Sequence, residues 1–164
     1  MFIEHLALFL LIFPFATKLY AETWQLETTQ IKYQVEHPFH RVIGISTAAK
    51  GKILCQKTCE FIIAVKGDSF SSGDSNRDQN VLAAIGARFY PLITLKGEFA
   101  GPVEYKILKI EPMLFFHGLE KKLAEQEWKV ESLSPEQKKA TAQFSIKMTE
   151  FQVTPPSLLF FSTE

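Results

Sequence analysis

Alternation of apolar and polar residues with a period of two is the feature that most constrains the fold. It recurs in the stretches IKYQVEH, ITLKGEF and QFSIKM, which begin at Ile31, Ile93 and Gln143. This period is typical of β-strands with one face on a core and the other in water, whereas an amphipathic helix repeats every 3.6 residues. Glycine and proline turn signals separate the stretches, and the 164 residues suit one domain. The pattern predicts a single all-β domain, a sandwich or barrel of antiparallel strands.

Two segments do not follow this alternation. NRDQNVLAAIGARF favours a short helix, because it places Val81, Leu82 and Ile85 on one face and Gly86 soon interrupts it. GLEKKLAEQEWKVE favours a helix by propensity in its first half but alternates like a strand at its end. The residues alone leave the second segment open between helix and strand.

The charge balance excludes some function classes. The chain has 18 basic and 18 acidic residues, so nothing indicates a nucleic-acid partner. It has no polybasic run that would indicate an anionic membrane surface. It also lacks the glycine-rich phosphate loops, the G-x-S-x-G elbow and the H-E-x-x-H motif. The Ser and Asp residues between Asp68 and Asp74 are typical of turns and helix caps. We therefore predict that the protein is not an enzyme.

The N-terminus predicts export. Residues 6–16 form an apolar run that is too short to span a bilayer, which takes about 20 residues. Such a run followed by a small residue indicates a secretory signal peptide over residues 1–21, cut after Ala21; an uncleaved anchor is the alternative. Residues 22–164 would then be a periplasmic (Gram-negative-type) or secreted domain without a stable membrane span.

Two cysteines, Cys55 and Cys59, are separated by three residues and flanked by strand-like runs. In an oxidising compartment, a pair on facing positions of a tight hairpin can form a disulfide. Free thiols or a reactive pair are the alternatives, although the spacing is not C-x-x-C and no further cysteine could complete a thiolate metal site.

One local pair of histidines is a candidate ligand set. His37 and His40 flank a turn in HPFH and could hold a metal or a haem, which makes an electron-transfer accessory protein an alternative function. Each could instead bond its own turn. His117 stands alone and is expected to satisfy a backbone group. We predict no resident cofactor.

The apolar positions of the strands carry the main functional hypothesis. They could line a hollow interior that binds an apolar ligand, or they could fill a solid core. A barrel of about eight strands allows both, because its interior is just wide enough to be filled by side chains or to hold one small ligand. A structural protein with a packed core is therefore a further alternative. The candidate interior residues are Tyr33, Val35, Phe61, Ile63, Phe89, Ile93, Leu95, Tyr105, Ile107, Phe144 and Ile146.

Four motifs in order resemble the YceI-like family of exported lipid-binding proteins. In chain order they are YQVEHPFHRVIGIS, then FSSGDSNRDQNV followed by FYPLITLKG, then FHGLEKK, and last FSIKMTEFQVTPPSLLF. The resemblance covers residues 24–161. Asn80 stands where many members have His. The family also continues past PPSLLFF into a closing strand, so either this sequence is a fragment or the expected barrel has an open seam.

The resemblance implies a lipocalin-like antiparallel β-barrel that holds a polyisoprenoid or quinone-like lipid. A short helix over residues 77–87 would close one end, with Arg77 and Asp78 capping it and anchoring it as a lid. GLEKKLAEQEW would be strand and turn. Without the closing strand, the exposed C-terminal edge could pair with a second copy of the chain to form a homodimer.

Overall fold

The computed structural model describes residues 21–37, 40–101, 106–154, 157–158 and 161–162. Its α-helix, α1, is Ser75–Ala84, and two 3₁₀ turns are Gly67–Ser69 and Met148–Phe151. The β-strands in chain order are β1 (Glu22–Gln25), β2 (Ile31–His37), β3 (His40–Ser46), β4 (Lys50–Cys55), β5 (Thr58–Lys66), β6 (Leu92–Ala100), β7 (Ile107–Ile110), β8 (Met113–Phe116), β9 (Leu119–Lys122), β10 (Gln126–Ser132), β11 (Lys138–Ala142), β12 (Ser157–Leu158) and β13 (Phe161–Ser162).

The strands form sheets in which every pairing is antiparallel. A six-stranded sheet has the order β1-β4-β5-β6-β8-β9, and a three-stranded sheet has the order β11-β10-β7. β2 and β3 form a separate hairpin, and β12 pairs with β13. The all-β prediction is confirmed. Within the described residues, backbone pairing does not join these sheets into a closed barrel.

The register of the six-stranded sheet fixes which residues share its inner face. Phe61 lies opposite Ile53 on one side and Gly97 on the other. Because side chains alternate along a strand, the inner face of β6 carries Ile93, Leu95 and Phe99, the apolar face that the alternation predicted.

The buried residues form two hydrophobic clusters. The disulfide-end cluster joins the two sheets and contains Cys55, Cys59, Phe61, Phe99, Leu108, Ile110 and Val130. The helix-end cluster contains Ile85, Leu114, Phe116, Phe151 and Val153. Leu95 packs against both clusters, so the inner face of β6 connects them.

The helix begins where its capping chemistry places it. The Asp74 carboxylate accepts a hydrogen bond from the Arg77 N–H at 3.0 Å, which satisfies one of the free donors of the first turn. The helix ends before Gly86, whose positive φ of 60° suits glycine. A short helix is thus confirmed, although it begins before residue 77 and ends before residue 87.

Two further segment predictions have different outcomes. The stretch after Gly118 forms β9, a turn and β10, as the resemblance implied, because packing of Leu119 and Leu123 on the helix-end cluster overrides helix propensity. The strand expected at QFSIKM is wrong, because residues 143–147 have no regular structure. Two of its alternating apolar residues, Ile146 and Met148, are nevertheless half-buried and pack on the helix-end cluster.

The disulfide prediction is confirmed. Cys55 and Cys59 are partners across the β4–β5 hairpin, with Cα atoms 4.0 Å apart, and they are bonded to each other. Both side chains are buried in the disulfide-end cluster. The bond therefore fixes the hairpin that carries Ile53 and Phe61 on the inner face.

Candidate binding interior

The inner face of the central strands is lined with apolar side chains that differ in burial. Phe61 is buried, whereas Ile63, Ile93 and Leu95 are half-buried and pack against the clusters. These four candidate interior residues therefore lie on the inner face of β5 and β6. Of the two late candidates, Ile146 is half-buried on the helix-end cluster, and Phe144 is half-buried just before it.

The assignment of Ile107 to the interior is wrong. Its side chain is 52% exposed, while Leu108 and Ile110 of the same strand are buried. The segment KILKI has apolar residues on both faces, so its phase was ambiguous. The register of β10, which places Trp128 opposite Leu108, decides the inward face. Tyr105, the other candidate here, lies outside the described residues.

Phe89 does not line the interior either. Its side chain is 76% exposed. The neighbouring Tyr90 ring packs against His117 instead, with ring centroids 5.3 Å apart. Residues 85–89 form turns, where the two-residue period that places side chains inward or outward no longer applies.

Tyr33 and Val35 lie on the separate hairpin, where both side chains are half-buried. The Tyr33 ring packs on Phe70, with centroids 5.5 Å apart, and lies directly over Gly44. Any larger residue at position 44 would occupy the space of that ring. Neither Tyr33 nor Val35 belongs to the two clusters, so they form a separate apolar surface beside the segment that leads into α1.

Sequence reasoning missed two tryptophans of the interior. Trp24 and Trp128 are half-buried and pack against the disulfide-end cluster, and Trp128 meets Phe61 edge-on at 5.6 Å. Both indole N–H groups are buried and have no hydrogen-bond partner among the described residues. An unpaired buried donor costs about 1–3 kcal/mol. The alternation of Trp128 with Lys129 was the sequence signal for its inward position.

The residues before α1 form a polar network around Asp78. Its carboxylate accepts a hydrogen bond from the Ser72 N–H at 2.9 Å. The Ser72 hydroxyl lowers the pKa of Asp78, and the Ser72 N–H, the Ser71 hydroxyl and the Arg77 charge act in the same direction, while desolvation opposes them. The hydroxyl makes no hydrogen bond of good geometry among the described residues, so the N–H bond is the firmer contact. Asp78 thus holds the preceding loop, while Asp74 caps the helix.

This network reaches the β2–β3 hairpin. Partial burial raises the pKa of the Tyr33 phenol, the negative charge of Asp78 raises it further, and Arg77 opposes them. Ser71 and Ile45 exchange two backbone hydrogen bonds of 2.9 and 3.0 Å. The side chains of Ser46 and Ser69 are also hydrogen-bonded at 2.7 Å. These contacts attach the hairpin to the segment leading into the helix.

Of the three histidines discussed above, the structure describes the side chain of His117 alone. His117 has a positive φ of 49°, and its Nδ1 lies 2.9 Å from the Phe151 carbonyl oxygen, so it bonds a backbone group as expected. His37 and His40 face each other at the end of the β2–β3 hairpin, and their side chains lie outside the described residues. The described part of the chain contains no group of three His, Cys, Asp or Glu side chains that could hold a metal.

No protein-family model matches the sequence, and no curated protein matches it. In the described ranges, no helix is both long enough and apolar enough to cross a membrane.

Proposed function

We propose that this protein binds and carries an apolar lipid, a polyisoprenoid or a quinone-like molecule, between its six-stranded and three-stranded sheets. The observation that carries the proposal is the incomplete burial of inward-facing apolar side chains. These half-buried residues of the disulfide-end cluster are Trp24, Ile53, Ile63, Leu95 and Trp128. A solid core would bury such side chains, whereas a lipid tail lying between the sheets would cover them.

Burial of hydrocarbon would supply the affinity. Each CH₂ group removed from water contributes about 0.8 kcal/mol, so a few isoprene units give tight binding without polar recognition. The unpaired indole N–H groups of Trp24 and Trp128 favour a ligand that also carries an acceptor, such as a quinone carbonyl. Reaching them would require the indoles to turn, because both nitrogens are enclosed by the surrounding side chains.

The sheets would then curve into a lipocalin-like barrel, with α1 as the lid over the helix-end cluster. Val81 and Ile85 pack on this cluster from the helix and the turn that follows it. Export with cleavage of residues 1–21 would place the carrier in the periplasm or outside the cell. The four ordered motifs that resemble the YceI-like family support the same proposal.

The experiment is native mass spectrometry of the protein purified from the periplasm, followed by binding of decylubiquinone, a short-tailed quinone. We expect a co-purifying lipid and quenching of tryptophan fluorescence by the quinone. Leu95→Trp, which adds bulk where the two clusters meet, should weaken binding, and Leu133→Trp, at an exposed turn position, should not. Circular dichroism checks that both variants fold.

Absence of lipid together with absence of quinone binding by a folded wild-type protein would refute the proposal and favour a structural protein with a packed core. A Soret band that His37→Ala removes would instead support the haem accessory. Because circular dichroism shows whether each variant folds, loss of the fold and loss of the site can be separated.

A further inference from the structure

Three large apolar side chains are exposed within four residues of the turn between α1 and β6. Phe89 is largely exposed, and Tyr90 and Leu92 are exposed at 40% and 44%. Single exposed apolar residues are common on protein surfaces, but a contiguous group indicates an interaction surface. We name residues 88–92 the aromatic turn.

The backbone holds the aromatic turn in this exposed position. The N–H groups of Phe89 and Tyr90 both donate to the Gly86 carbonyl at 2.9 Å, and the Gly67 N–H donates to the Pro91 carbonyl at 2.9 Å. The Tyr90 ring is packed against His117. Phe89 therefore cannot fold inward unless these hydrogen bonds break.

Two cations border this group. Arg88 precedes Phe89, and Lys66 lies opposite Leu92 in the β5–β6 register. Both are exposed, and neither forms an ion pair with a described residue, in contrast to Lys96, which pairs with Glu120 at 3.1 Å. Asp68 is the nearby exposed acid, in the adjoining 3₁₀ turn. An aromatic side chain flanked by unpaired cations is the chemistry that a membrane–water interface with anionic lipids favours.

We infer that the aromatic turn docks the protein on an anionic membrane surface, with Phe89 inserted among the lipids and Arg88 and Lys66 at the phosphates. The inference rests on the proposed function, because an apolar lipid is stored in membranes and a carrier must collect it there. Gly67, next to Lys66, lies against Ile85 and Ala87, so the docking surface adjoins the end of α1. Cargo would then enter from the helix end.

The test is co-sedimentation of the mature chain with vesicles of phosphatidylcholine, alone or mixed with phosphatidylglycerol. We expect binding to the mixed vesicles that weakens with salt. Phe89→Ala should reduce the partition coefficient about tenfold or more, because it removes the exposed aromatic side chain that would become buried among the lipids. The matched control is Leu133→Ala, since Leu133 is also an exposed apolar residue, at 63% exposure, in a different turn. Arg88→Gln should reduce binding only to the mixed vesicles.

Equal vesicle binding by the wild type and Phe89→Ala overturns the inference, as does an equal loss in Leu133→Ala. A concentration-dependent dimer that Phe89→Ala abolishes also overturns it, because the group would then face a second copy. Decylubiquinone added from solution separates the two proposals. If it binds while vesicles do not, the docking surface is wrong and the carrier function stands. If vesicles bind through Phe89 and the quinone does not bind, the carrier function is wrong and the docking surface stands.

Discussion

Gly97→Ala tests whether the interior is filled at the level of Phe61, because two effects of this substitution change the free energy of unfolding in opposite directions. Replacing a strand glycine with alanine stabilises the folded state by roughly 0.5–1 kcal/mol where the new methyl group has space. At Gly97, however, a Cβ would lie 2.5 Å from Cε1 and 2.8 Å from Cζ of Phe61, and 3.0 Å from Cγ2 of Ile110. Relieving such overlap in a packed core costs about 1–3 kcal/mol.

The cost exceeds the gain, because the Phe61 ring is buried and held edge-on against Trp128. We therefore expect Gly97→Ala to lower the free energy of unfolding by about 1–2 kcal/mol, equivalent to a fall in Tm of roughly 2–8 °C for a chain of this size. Equilibrium urea unfolding followed by circular dichroism measures the change, with the m-value expected to stay constant.

Phe61→Leu provides the matched background. Leucine lacks the two ring atoms that the new methyl group would meet first, so in this background Gly97→Ala should be neutral or stabilising by up to about 1 kcal/mol. The same loss of stability in both backgrounds would refute the packing argument. A gain of stability in the wild-type background would show that the space beside Phe61 is open and would favour a hollow at this level.

Two further perturbations test the framework and the lid. Reduction of Cys55–Cys59, or replacement of both residues by alanine, should lower the free energy of unfolding by about 2 kcal/mol from loop entropy alone, and dithiothreitol should then have no further effect on the double variant in urea unfolding. Because hydrogen bonding lowers the pKa of Asp78, its contribution to stability is fully present above the ordinary value of 3.8 and is lost as the pH falls through the lowered pKa. Asp78→Asn should thus be less stable than the wild type at neutral pH, and the difference in unfolding free energy should narrow below about pH 4; a constant difference across this range would contradict the assignment.

The sequence predicts the all-β class because alternation follows from the geometry of a strand, and ITLKGEF shows the agreement residue by residue in β6. The disulfide was also predictable, since strand-like runs on both sides of the cysteine pair place residues four apart at facing positions of a tight hairpin. The helix was predicted with different ends because more than one Asp near its start carries capping chemistry, and only the structure shows that Asp74, rather than Asp78, accepts the Arg77 N–H.

The site was less predictable. Ile107 and Leu108 are adjacent and both apolar, so the inward face of β7 depends on pairing with β10, which is distant in sequence. Phe89 and Tyr90 lie in a turn, where no period applies and tertiary contacts decide which ring points out. The unpaired indole nitrogens of Trp24 and Trp128 have no sequence signature, because burial and missing partners are properties of packing.

The attachment between the β2–β3 hairpin and the segment before α1 has a consequence for local unfolding. Ile45 and Ser46 are bonded to Ser71 and Ser69, and the Asp78 carboxylate binds the next residue along that segment. Both elements are held by the same short segment, so its detachment would release the hairpin and the first helical turn together, and their amide protons should exchange with solvent through one shared opening. If the proposed lipid cargo entered at this end, the segment would have to detach first, and the rate of uptake would follow the rate of that opening.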